Sequence, residues 1–332
     1  MWLLIFFILI TIFIIRKILE CLSISKIKGK AVVITGCDTG FGHEAAIKCA
    51  KNGMIVFAGC LLIDSFKELE NKCRKFDGEI FCFLINVADD ESVKKGSEIV
   101  RNIMHDKEID GLHGLIVNAG ILGDCGPFDW MSTKEYKRVF EINTFGGMRT
   151  IEYFKEDIKK GKGRIIITAS ICGRIAIPNI GPYTCSKYAM EAFADVLRNE
   201  MRPFGVKVIC LEPGFFKTPL IKEDAVVNML DCVYKKCDDS IKNQYGIEYF
   251  NYIVKTTKGH LYNRSSSNYK LVSDAYYHSL ISYWPYPRYQ IGFDSRFIYI
   301  PISYSPTEIF DMFVALYMIV TRAPKPKGFD ND

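Results

Sequence analysis

Six short runs of β-branched and apolar residues recur along the chain: AVVIT (31–35), MIVFAGC (54–60), EIFCFLI (79–85), GLIVN (114–118), GRIIITAS (163–170) and VKVICLE (206–212). Runs of this length with few polar interruptions predict strands buried on both faces, as in parallel sheets. Between them, segments such as 90–104, 133–159 and 183–201 have helical length and period. The alternation predicts a doubly wound α/β domain, a parallel sheet with helices on both faces joined by right-handed crossovers. It stops after Gly214. Residues 219–290 are rich in tyrosine and polar positions and weakly periodic, which predicts an excursion covering a ligand rather than a second core. There are no internal repeats and no low-complexity linkers.

The two ends carry a different pattern. MWLLIFFILITIFII is apolar but for Thr11 and is followed at once by Arg16 and Lys17. At about 1.5 Å per residue these fifteen positions reach about 22 Å of a hydrocarbon core roughly 30 Å thick. Either the helix draws in the following ILECL, with Arg16 and Lys17 snorkelling, or it inserts partway. Positive charges after the apolar run, not before it, favour an uncleaved anchor over residues 1–22 with the rest of the chain on the cytosolic side. Glycosylation of the sequon Asn263-Arg264-Ser265 would count against that topology. Near the other end, Ile309, Phe310, Phe313, Leu316, Tyr317 and Val320 fall near one helical face, with Arg322, Lys325 and Lys327 following. Residues 301–332 therefore read as an apolar helix packed on the domain, paired across a homodimer or laid on a membrane surface. The α/β domain itself is expected over 28–300, with the covering segment at about 215–290.

Composition narrows the field. With 332 residues, 49% of them hydrophobic, the chain can bury a large core. A net charge of +5 with no run of five like charges leaves no basic stripe for nucleic acid. The twelve cysteines are scattered, with no C-x-x-C pair and no histidine at ligand spacing, so no metal site or disulfide scaffold is indicated and reduced thiols are expected.

The first strand is followed by TGCDTGFGHEAA and a helix. Strand, glycine turn and helix N-terminus stand in the order a dinucleotide pyrophosphate requires: glycine permits the tight turn and close backbone approach, and helix N–H groups face the anion. The spacing, Gly36-x-x-x-Gly40-x-Gly42, differs from G-x-G-x-x-G. A 2′-phosphate on the adenosine ribose would call for Arg or Lys in this turn or just after the second strand. The turn instead holds Cys37, Asp38, Thr39 and Phe41, and no cation follows GCLLID before Lys67. The balance leans to NAD without excluding NADP. Asp64 is a candidate for the ribose hydroxyls, although its position also suits a solvated helix start.

In SICGRIAIPNIGPYTCSK, Tyr183 and Lys187 are i and i+4 on one helix face. A free tyrosine titrates near 10, and a fixed cation beside it favours the phenolate, making it a workable base for an alcohol. Of eighteen tyrosines only Tyr183 has a lysine four positions on. Ser170 closes the strand GRIIITAS at the carboxyl edge of the sheet, where open α/β folds bind ligands, and its hydroxyl can hold a reacting oxygen against the tyrosine. VNAG (117–120) and EPGFFKT (212–218) end strands at the same edge.

Together, Gly36-x-x-x-Gly40-x-Gly42, Asn118-Ala119-Gly120, Asn143 within EINTFGG, Ser170, Tyr183-x-x-x-Lys187 and Pro213-Gly214 resemble the short-chain dehydrogenase/reductase family over about residues 30–220. TGCDTGFG, GRIAI, PGFFKT, PRYQIGFDSRFIYIPISYSPT and APKPKG are similar to its membrane-bound retinol and hydroxysteroid dehydrogenases. The resemblance implies a Rossmann fold with Tyr183 as acid/base and Lys187 lowering its pKa and binding the nicotinamide ribose. It further implies Ser170 on the substrate oxygen, Asn143 positioning a water that links Lys187 to solvent, the three glycines along the pyrophosphate, Asn118 near the adenosine ribose, and Pro213, Gly214 and Thr218 on the nicotinamide side. Two departures concern cofactor affinity: Asn86, followed by Val87, stands where the family usually has an aspartate, and Val117 where it usually has asparagine.

The expected reaction is interconversion of a lipophilic alcohol with its aldehyde or ketone. Phe215, Phe216, Leu220, Ile221, Val226, Val227, Met229 and Leu230 would line an apolar site, and a membrane, expected to be the endoplasmic reticulum, would concentrate such substrates. A 3-hydroxybutyrate-type enzyme would call for a presequence rich in arginine and cations in the substrate segment. A catalytically idle lipid-binding protein of the same fold is the other alternative.

Overall fold

The computed structural model describes residues 2–218, 221, 223–259, 261 and 265–327. Leu220 and Asn263 lie outside them. Seven strands form one parallel sheet: β1 (Ala31–Thr35), β2 (Ile55–Cys60), β3 (Glu79–Leu84), β4 (Gly114–Val117), β5 (Arg164–Thr168), β6 (Lys207–Pro213) and β7 (Arg288–Ile291), in the order β3-β2-β1-β4-β5-β6-β7. The twelve α-helices among the described residues are α1 (Trp2–Cys21), α2 (Gly40–Lys51), α3 (Asp64–Cys73), α4 (Asp90–Asp106), α5 (Thr133–Phe140), α6 (Gly146–Lys160), α7 (Gly181–Met201), α8 (Glu223–Lys236), α9 (Asp239–Lys258), α10 (Lys270–Ile281), α11 (Ile300–Ser303) and α12 (Thr307–Val320).

The period-two geometry of a strand divides the core into two layers. Val33, Leu115, Val117, Ile165 and Ile167 face α4, α6 and α7 through Val100, Phe154, Ile158, Met190 and Ala194. Val32, Ile34, Ile116, Ile166, Ile209 and Leu211 face α2 and α10 through Ala45, Ala46, Val272, Tyr276 and Leu280. Both faces are dry, which is why these strands read as continuous apolar runs. The chain reverses from one half of the sheet to the other between β1 and β4, which pair directly, and the carboxyl ends there open the crevice in which such sheets bind ligands.

Three features depart from the pattern-based reading. Residues 133–159 form two helices separated by a π-turn at Glu141–Phe145. β7, which the pattern did not reveal, alternates partly open Arg288 and Gln290 with buried Tyr289 and Ile291 at the sheet edge. The excursion is helical, not irregular: α8 and α9 carry a third apolar cluster over the carboxyl edge, with Trp130, Ile171, Ile180, Leu230, Val233 and Ile253 at its centre. Trp130 meets Tyr234, Tyr245 and Phe250 at centroid distances of 5.0, 5.5 and 6.2 Å. α9 bends at Gly246, where φ is +72°.

α1 leads straight into the body. Leu22 and Ile24 pair by backbone hydrogen bonds with Tyr283 and Ile281, and the Arg16 guanidinium lies 4.3 Å from the Tyr286 ring centroid. Among the described residues no helix is long and apolar enough to cross a membrane. The apolar part of α1 ends at Ile15, before the two cations.

Candidate functional site

A cleft at the carboxyl edge is lined by the glycine turn (Gly36, Asp38, Thr39, Gly40, Phe41), the β4 end (Asn118, Ala119, Gly120), the β5 end (Thr168, Ala169, Ser170), Tyr183 and Lys187 from α7, and Pro213, Gly214, Phe215, Phe216 and Thr218 after β6. Most of the residues singled out from sequence are therefore brought together.

The glycine turn is shaped by backbone constraints. Gly36 and Gly40 have φ of +72° and +66°, where a Cβ is strained. A Cβ on Gly36 would also lie 2.9 Å from the Ala119 Cα. At Gly42 it would lie 2.3 Å from the Gly36 carbonyl oxygen, so this glycine packs α2 against the turn and does not line the cleft. The bare backbone and the α2 N-terminus form a cradle that fits a pyrophosphate. Asp38 ties the turn to the segment after β2: its carboxylate accepts from Leu61 N and Leu62 N, both at 2.9 Å, and from Ser65 Oγ at 3.0 Å. Asp64 simply opens α3.

Other candidates lie off the cleft. Cys37 is buried, its thiol directed at the Ile34 carbonyl and its N–H at that of Gly59. Asn86 is exposed and its side chain closes a local turn by accepting from Ala88 N at 3.1 Å. Val87 is buried against Gly146.

Asn143 sits in the π-turn, a local widening that often accompanies function. Its Oδ1 accepts from Ile121 N at 2.8 Å, and its Nδ2 donates to Ile121 O at 2.9 Å and Ser186 Oγ at 3.0 Å. Gly120 leaves room beside it: a Cβ there would lie 3.1 Å from Asn143 Oδ1 and 3.8 Å from Lys187 Nζ.

Pro182 starts α7 within its first turn, where a missing N–H costs nothing. The helix brings Lys187 Nζ to 5.5 Å from the Tyr183 ring centroid and to 2.8 Å from the Thr168 carbonyl oxygen, to which it donates. Ser170 Oγ accepts from Cys172 N at 3.2 Å. The expectation that Lys187 lowers Tyr183 meets a stronger effect. Enclosure of the Tyr183 hydroxyl pushes its pKa up, and a hydrogen bond from Ser170 opposes this. Burial pulls Lys187 down to about 8. In the bare protein, then, desolvation sets the direction at both groups.

Sequence patterns alone missed the residues that hold these ends in place. The Asp294 carboxylate accepts from Phe215 N at 2.9 Å and fills the space beside Gly214. Ser295 Oγ donates to the Glu212 carbonyl at 2.9 Å. Glu212, wholly buried, is paired with Arg288 and, at 3.1 Å, with Arg174; Arg288 also grips Glu191. The late motif PRYQIGFDSRF thus braces the turn after β6. Its run of Arg, Asp and Ser was the available signal, but their partners are set only by the tertiary fold.

A family model described as short chain dehydrogenase matches residues 30–226. The chain belongs to the short-chain dehydrogenase family. Within it the chain falls with the retinol and hydroxysteroid dehydrogenases. It is 36% identical to 17-beta-hydroxysteroid dehydrogenase type 6 of Mus musculus over 293 residues, 88% of this dehydrogenase and 90% of the mouse protein. It is 33% identical to Retinol dehydrogenase 16 of Rattus norvegicus over 304 residues, 92% of each chain. Among solved structures, a short-chain dehydrogenase/reductase from Burkholderia phymatum in complex with NAD has a TM-score of 0.63 at 18% identity, covering 93% of this dehydrogenase and all of that chain, which shows the shared fold.

Proposed function

We propose that this dehydrogenase interconverts a lipophilic alcohol of the retinol or hydroxysteroid type and its aldehyde or ketone, with NAD as the favoured nicotinamide nucleotide and NADP as the alternative. The observation that carries the reading is the convergence of Ser170, Tyr183 and Lys187 on one cleft with a glycine cradle that no side chain fills. Gly36, Gly40 and the α2 N-terminus would hold the pyrophosphate. Asn118, Ala119 and Gly120 would lie along the adenosine side, and Pro213, Gly214 and Thr218 along the nicotinamide. The bound nucleotide supplies the hydride acceptor for oxidation. The chain's own residues do the rest. Ser170 Oγ–H donates to the substrate oxygen and holds it at Tyr183. The Tyr183 phenolate takes the alcohol proton in oxidation, and the phenol returns it to the carbonyl oxygen in reduction. Lys187 places a positive charge beneath the phenol, and Asn143, fixed by Ile121 and Ser186, leads toward solvent.

The substrate end of the cleft is apolar: Leu122, Cys172, Ile180, Phe215, Phe216, Ile221 and Leu261 line it. This supports a lipid-soluble substrate. A membrane seat supports it too. On α1, Leu3, Phe6 and Phe13 are exposed, and on α12 so are Met312, Phe313, Leu316 and Ile319. We place α1 partway into the bilayer of the endoplasmic reticulum and α12 along its surface, with the catalytic body on the cytosolic side. The test is turnover of the detergent-solubilised full chain with saturating NAD across retinols, hydroxysteroids and 3-hydroxybutyrate. Turnover confined to the small hydroxy acid, or none at all, overturns the reading.

A further inference from the structure

Tyr276 lies on α10, outside every quoted motif, and its side chain is fully buried. Its hydroxyl nevertheless reaches the cofactor side of the cleft floor. It donates to Asn118 Oδ1 at 3.0 Å and lies 2.6 Å from Thr168 Oγ1. A phenol has one proton to give, so Thr168 is the donor in the second bond. The order is then fixed: Thr168 to Tyr276, Tyr276 to Asn118, and Asn118 Nδ2 on to the carbonyls of Thr35 at 3.0 Å and Gly36 at 3.1 Å. With Oδ1 held by Tyr276, the Asn118 amide cannot turn over, and its NH2 must face the glycine turn. The other end of the relay is equally placed. The main-chain carbonyl of Thr168 is the acceptor for Lys187 Nζ at 2.8 Å, and Ser170 is two residues further on.

We infer that Tyr276 is a positioning residue for nucleotide binding: one buried hydroxyl sets the orientation of Asn118 and of the β5 end together, and so holds the glycine turn and the Lys187 acceptor in one register. The inference rests on the proposed nicotinamide chemistry. Every group it uses is neutral, so the effect does not depend on a titration near pH 7.

The test uses Tyr276→Phe in the full chain, with NAD dissociation measured by titration calorimetry, kinetics at saturating substrate, and Tm without nucleotide. A single lost hydrogen bond of about 1–1.5 kcal/mol corresponds to about a tenfold weaker NAD Kd. The KM for NAD should rise in step, while kcat at saturating NAD changes less than about threefold. Thr168→Val should reproduce the weakening and Thr168→Ser, which keeps the hydroxyl, should not. Because the three groups act as one relay, Tyr276→Phe with Thr168→Val should be no worse than either alone. A lower Tm with NAD Kd unchanged would make Tyr276 a core residue only and overturn the inference. If Tyr276→Phe does not fold, Thr168→Val against Thr168→Ser decides: equal affinity overturns it. Failure of the unmodified chain to bind either NAD or NADP would instead sink the proposed function.

Discussion

Replacing Lys187 with methionine should make the protein more stable and leave it nearly inactive. The side chain is 5% exposed, and burial pulls its pKa from the ordinary 10.5 to about 8. Carrying the charge in the fold at pH 7 therefore costs about 3 kcal/mol. Loss of its bond to the Thr168 carbonyl gives back about 1 kcal/mol, so the cofactor-free variant should gain about 2 kcal/mol, and Tm should rise by several degrees. The sign with pH follows from proton counts. Between pH 8 and 10.5 the unfolded chain holds a proton on Lys187 that the folded chain has released, so the stability of the parent protein rises with pH across that window. The advantage of Lys187→Met should be nearly full up to about pH 8 and fall to about zero by pH 10. The assay is urea unfolding of both proteins without nucleotide at pH 7, 8, 9 and 10, beside turnover with NAD. A variant less stable than its parent at pH 7, or a difference independent of pH, would refute the reasoning.

Gly42→Ala puts a methyl 2.3 Å from the Gly36 carbonyl oxygen, so the turn must shift; a loss of about 1–3 kcal/mol and much weaker NAD binding are expected, read from Tm and calorimetry. Arg288→Met strips the guanidinium from the buried carboxylates of Glu212 and Glu191 and should cost about 3–5 kcal/mol at pH 7. Glu191, which burial already raises to about 7, then rises further in the fold, so the deficit should be full above that raised value and shrink as pH falls from there to about 7, where the folded variant holds a proton the folded parent has released; below that both hold it and the deficit levels off. Phe313→Glu with Leu316→Glu, at two exposed positions of α12, should reduce co-sedimentation with phosphatidylcholine vesicles while leaving Tm and turnover of detergent-solubilised protein unchanged.

The first six strands and the carboxyl-edge site were legible because each is carried by local pattern: dry strands are continuous apolar runs, and the glycine turn, Ser170, Tyr183 and Lys187 each follow a strand or share a helix face. β7 was not, because only Tyr289 and Ile291 of its four residues point inward. The π-turn was hidden because its flanks keep the helical period, and the bond that Asn143 accepts there from Ile121 N spans 22 positions. α9 was hidden because its aromatic residues, Tyr245, Tyr249, Phe250 and Tyr252, crowd one stretch and Gly246 breaks the phase. Asp294 and Tyr276 act on residues 79 and 158 positions away, so no spacing rule finds them. The enclosure of Tyr183 was hidden for a related reason: the neighbouring lysine is visible in sequence, whereas the burial that raises the hydroxyl's pKa is a property of the fold.

The central claim is that Tyr183 exchanges the proton of a lipophilic alcohol. Tyr183→Phe, assayed in detergent with saturating NAD on a panel of retinols and hydroxysteroids, should lower kcat by about 10²–10⁴-fold with the NAD Kd unchanged. Undiminished turnover in that variant would contradict the account.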